Sequence, residues 1–143
     1  MGKLKSRALA VTAGVLVAVG STAAVAATTT TYTVHLTGSQ EIPKHSTGKG
    51  TFHYQLVTAS GKLCYSLTWS GIGTPFAAHV HKGKKGVEGP VVIALSASAP
   101  VKHSGCVKVK KALLLAIKKA PSAYYVNVHN KKYPNGAIRG QLP

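Results

Sequence analysis

The sequence predicts an all-β protein: a single antiparallel β-sandwich of immunoglobulin-like or Greek-key type, crossed by one short helix at about residues 108–119. Three observations carry this expectation. Short runs in which apolar and polar residues alternate follow one another along the chain. Clusters of glycine, proline and asparagine punctuate them. Only one stretch exchanges the period of two for that of a helix.

Taken in order, Tyr32, Val34 and Leu36 alternate with Thr33, His35 and Thr37, and Phe52, Tyr54 and Leu56 alternate with Thr51, His53 and Gln55. Leu63, Tyr65, Leu67 and Trp69 do the same against Cys64, Ser66 and Thr68. Each run has one face for a core and one for solvent. The stretch AAHVHKG, from Ala77 to Gly83, reads as a further strand, and Val91 to Leu95 as a short apolar one. Tyr124 to His129 and Ala137 to Leu142 form a terminal hairpin around Pro134-Asn135-Gly136. Breakers lie between the runs at Pro43 to Gly50, Ser60-Gly61, Gly71 to Pro75 and Gly83 to Pro90. About seven strands at this spacing suit a sandwich.

The exception is KVKKALLLAIKK, Lys108 to Lys119, which places Val109, Leu113, Leu114 and Ile117 on one helical stripe before Ala120-Pro121 stops it. Lysines in its first turn oppose the helix dipole. Burial of the stripe, and not propensity, must hold it.

Residues 1–26 read as a secretory leader: Lys3, Lys5 and Arg7 precede the small and apolar run Ala8 to Val19, and Ala24-Val25-Ala26 offers a cleavage spacing. Export is the expectation, with an extracellular or cell-surface destination. Residues 27–143 then form one domain, large enough to bury a single core.

Setting the leader's three cations aside leaves 15 basic residues against Glu41 and Glu88, a net charge near +13. Such a domain is drawn to anionic cell-wall polymer, anionic membrane surface or nucleic acid. Nucleic acid ranks last, because the chain has few clustered aromatics and no nucleic-acid motif. The absence of aspartate excludes a Ser-His-Asp triad, and a paired-carboxylate glycosidase would have to use both glutamates. Cys64 and Cys106, the only cysteines, read as one disulfide in an exported chain.

The order LCYSLTWSGI, AAHVHKG, GPVV, SGCV and YYVNVHNKKYPNGAIRGQL resembles the CHRD domain, named from the extracellular protein chordin and also found in many secreted bacterial proteins. The resemblance runs from about Tyr32 to Leu142 and is most specific at Tyr125, Asn127, His129, Pro134, Gly136, Arg139 and Gly140. It implies an immunoglobulin-like extracellular module without established enzymatic activity. A secreted, non-catalytic binding module with a basic surface is therefore the leading expectation, its partner an anionic cell-surface polymer or an extracellular protein.

The histidines open a second reading. On a strand, His79 and His81 point to one side about 6.6 Å apart. Two imidazoles are a partial copper or zinc site, and His129 is the candidate third ligand, on the same side of its strand as Tyr125 and Asn127. HVHKG is also similar to the His-x-His strand that supplies copper ligands in copper-zinc superoxide dismutases, although those enzymes need an aspartate that this chain lacks. The alternative is a polar network in which these rings bond Tyr125, Asn127 or the Pro-Asn-Gly turn, joined by Arg139, with no ion. A fixed charge on Arg139 beside a metal would oppose binding. His35, His53, His45 and His103 lie on ordinary polar strand faces or in loops.

Overall fold

The computed structural model describes residues 29–44 and 46–143. The expected leader and His45 lie outside the described residues. The described residues fold into eight strands: β1 (Thr31–Thr37), β2 (Lys49–Val57), β3 (Lys62–Ser70), β4 (Pro75–Lys82), β5 (Val91–Ser96), β6 (Ser104–Lys108), β7 (Tyr124–Asn130) and β8 (Ile138–Gln141). One helix, α1 (Lys111–Lys119), lies between β6 and β7.

The all-β antiparallel class with one short helix is as the alternation predicts, but the strands do not part into two sheets. They make one sheet in the order β5-β4-β7-β8-β1-β2-β3-β6. Its weakest link is in the middle, where β8 meets β1 in the single pair Thr37 and Arg139. Its ends curl toward each other, and the Tyr65 hydroxyl on β3 donates to the Leu95 carbonyl on β5 at 3.0 Å across the gap. The result is nearly a barrel, which hides sheet edges that would otherwise invite pairing with another chain. The ladders establish one nearly barrel-shaped antiparallel sheet and do not establish an immunoglobulin-like or Greek-key sandwich. Alternation specifies which face of a strand is buried and leaves its neighbours open.

The inward faces supply the core. Leu36, Phe52, Leu63, Leu67, Val80, Val126, Val128 and Ile138 are all fully buried. Helix α1 closes one side with Leu114 and Ile117, one turn apart and fully buried, while Leu115 stays exposed. The helix is shorter than its sequence pattern. The Val109 amide instead donates to the Gly61 carbonyl at 2.8 Å, continuing the β3 and β6 pairing, and Lys110 has extended ψ and serves as N-cap. Lys118 and Lys119 in the last turn offset the unfavourable first-turn lysine. Strand β6 escapes the periodicity reading because neither of its faces is deeply buried. It is fastened instead by the Cys64–Cys106 disulfide, whose cysteines are direct partners across the β3 and β6 ladder.

Strand β7 differs from the rest. All seven of its residues are buried, so its outer face is covered as well as its inner one. That outer face is polar, and it carries the histidine cluster.

Candidate metal centre

Direct cross-strand partners share a face, so the ladders fix which side chains meet. Between β4 and β7, Ala77 pairs with His129, His79 with Asn127 and His81 with Tyr125. Between β7 and β8, Asn127 pairs with Arg139 and Tyr125 with Gln141. The outer face is thus a grid that holds His79, His81, His129, Tyr125, Asn127 and Arg139 together. Ala78 and Val80, on the other side of β4, pack into the core without exposure. Irregular pairing flanks the histidines: β4 and β5 slip register between Ala78 and His79 and again between Val80 and His81. A further irregularity between Pro75 and Ala77 leaves the Phe76 ring 6.2 Å from His129. Bulges of this kind re-aim side chains.

The three imidazoles converge. One donor atom from each of His79, His81 and His129 lies within 4.8 Å of the others. The His129 Nδ1 lies 2.9 Å from the Pro134 carbonyl, and the His81 Nδ1 lies 2.8 Å from the Gly89 carbonyl. A carbonyl only accepts, so both Nδ1 atoms carry a proton, and in the neutral ring each Nε2 is bare. The bare Nε2 of His129 accepts from His79 Nδ1 at 3.0 Å. The bare Nε2 of His81 is buried and has no hydrogen-bond partner.

Burial is the main force that pushes His129 down to about 4, reinforced by His79 and His81 and opposed by the Pro134 bond. Burial, helped by His81, lowers His79 too. Both are therefore neutral at neutral pH, the form in which imidazole binds metal. A carbonyl holding the far nitrogen of a ligating histidine fixes its tautomer and ring direction. Two of the three rings here have that support.

Arg139 does not stand beside the cluster as a bare charge. Its guanidinium carbon lies 3.3 Å from the centre of the Tyr125 ring, and His81 stacks on that ring at 4.8 Å and 10°. Tyr125 comes from β7, between the strands that carry the other two, and so separates them. The guanidinium donates to the Val87 and Lys84 carbonyls at 2.7 and 3.2 Å. The Gly89 amide donates to the Tyr125 hydroxyl at 3.1 Å, and Gln141 donates to the Gly83 carbonyl at 2.8 Å. Residues 83–90 are thereby strapped over the outer face. Gly89 allows this: a Cβ there would fall 1.7 Å from the Lys82 carbonyl oxygen.

The remaining described histidines stay apart. His53 Nδ1 meets the Thr33 hydroxyl, and His103 stacks on Trp69 and bonds the Leu67 carbonyl. The expected bond to the backbone of the Pro-Asn-Gly turn is the one that His129 makes to Pro134; sequence reasoning missed Gly89, which acts through its backbone carbonyl, and Phe76, which a bulge re-aims. It also missed Glu41, which is 5% exposed, with Oε1 lacking a partner and Arg139 attracting it.

Burial raises the Glu41 carboxyl from 4.5 to about 7 against the pull of Arg139, with a lesser upward push from Glu88. The folded state therefore holds this proton more tightly than the unfolded one, and Glu41 costs stability as pH rises from 4.5 through 7. His129 works oppositely, costing stability as pH falls from 6.5 through 4. Glu41→Gln is expected to gain on the order of 3 kcal/mol relative to the wild type between pH 4.5 and 8, measured by denaturant melts at both ends. Parallel pH profiles would contradict this account.

A nearly closed antiparallel sheet whose outer face gathers three converging imidazoles defines an all-β module with a candidate metal centre. The model of one family, the CHRD domain, matches residues 32–142, and the chain belongs to that family. CHRD domains occur in extracellular or secreted proteins and are in general non-catalytic modules. No curated protein and no solved structure matches the chain. No helix among the described residues is long and apolar enough to cross a membrane.

Proposed function

We propose that this chain is an extracellular binding module whose working centre is a single copper or zinc ion held by His79, His81 and His129. One observation carries the reading: His81 Nε2 is buried without a partner beside two other imidazoles, while its Nδ1 is fixed by Gly89. A buried acceptor left unmet costs about 1–3 kcal/mol. Coordination supplies the missing partner, and an all-imidazole set suits either ion. Binding requires only that the proton shared by His79 Nδ1 and His129 Nε2 move to the outer nitrogen of His79 or leave. No catalytic residue is assigned.

Elemental analysis of the exported full chain tests the reading. We expect about one equivalent of copper or zinc, lost in His79→Ala and in His81→Ala. Sub-stoichiometric metal that does not respond to these substitutions overturns it.

A second reading concerns what the module attaches to. Every described lysine is exposed, and Arg139 is the only described Lys or Arg side chain that is buried. This favours association with an anionic cell-surface polymer, or with an acidic extracellular partner, through long-range attraction. Retention on a heparin-like or cell-wall column should collapse as salt rises from about 0.05 to 0.5 M, where screening shortens to a few ångströms. Retention indifferent to salt would remove charge as the cause.

A further inference from the structure

Resting on the metal reading, we infer that an ion at this centre keeps one exchangeable coordination position on its His79 side, occupied by water at rest and open to small anions and to carboxylate or phosphate oxygens.

Zinc and copper(II) take more than three donors, and catalytic zinc sites with three protein ligands fill the fourth position with water or substrate. Among the described residues no other His, Cys, Asp or Glu joins the group of His79, His81 and His129. Both cysteines are spent in the disulfide. Glu41 packs with its carboxyl oxygens 2.6 Å from where a Gly136 Cβ would stand, and Glu88 is exposed on the strap. The site thus lacks a fourth Cys, His or carboxylate of the kind that closes a structural centre.

Burial shows where the gap opens. His81 and His129 are shut in at 8% and 6% exposure, while His79 is partly exposed. Across the ladder from His79 stands Asn127, 2% exposed, whose Oδ1 has no partner. Cross-strand partners hold their Cβ atoms about 4.5–5.5 Å apart. A water on the ion's His79 side is therefore within the span that Asn127 reaches, and its proton satisfies the orphan acceptor. The charge of the chain favours anions in exchange, since its many lysines face only two acids.

The test uses the full chain loaded with one equivalent of cobalt(II), whose visible spectrum reports its coordination, titrated with sodium azide. A saturable spectral change is expected. In Asn127→Leu the displaced water has lost its acceptor, so azide should bind about fivefold more tightly, the equivalent of one hydrogen bond near 1 kcal/mol. A stoichiometric cobalt(II) spectrum that azide leaves unmoved overturns the exchangeable position and leaves the three-histidine centre standing. Equal azide affinity in wild type and Asn127→Leu removes the water's bond to Asn127. Failure to bind cobalt(II), zinc(II) or copper(II) at all sinks the centre and this inference with it.

Discussion

Zinc at about a hundred times its dissociation constant is expected to stabilise the wild-type chain by about 2.7 kcal/mol, and to leave His129→Ala unshifted. For a domain of this size that is a rise in melting temperature of about 10 °C. The quantity that matters is the shift on adding metal, because the substitution also removes the bond from His129 to the Pro134 carbonyl and so alters the metal-free stability. His129 itself should not limit the shift until pH falls to about 4, since burial keeps its ring neutral down to that point. An equal zinc-induced shift in wild type and variant would mean that the ion binds elsewhere.

The second large effect belongs to the disulfide. Replacing Cys64 and Cys106 together by alanine releases a loop spanning a sequence separation of 42 and should cost about 4 kcal/mol on the chain-entropy account. The melting temperature should fall by about 15 °C. The loss should be uneven. Strand β6 ends the sheet with β3 as its only ladder partner, so its amides should lose hydrogen-exchange protection first. Protection lost uniformly, or a cost under about 1 kcal/mol, would show that the β3 ladder and the packing of α1 hold β6 without the covalent link.

These expectations rest on parts of the molecule that were unequally legible in the sequence. Strands β1 to β3 announce themselves because one face of each is buried against the core and the other is wet, so burial and alternation coincide. Strand β6 does not, because a bond between cysteines replaces a buried face. His79 and His81 are readable as a pair from their spacing alone. His129 is readable only through the family's signature, since nothing in its spacing reveals that β7 lies beside β4 with Ala77 opposite it. The supports of the cluster are less visible still. Gly89 and Pro134 act through carbonyl oxygens that every residue possesses, and only the path of the chain brings those oxygens to the rings.

The strap over residues 83–90 therefore has a role that its composition hides. Its Gly89 carbonyl decides which nitrogen of His81 carries the proton, just as the turn at Pro134 decides it for His129. The two connections belong to different hairpins, so the electronic state of the cluster is written jointly by two loop paths. A shortened strap would leave all three histidines in place and still let His81 turn its proton toward the cluster. Within this fold, loop length is a variable of coordination chemistry.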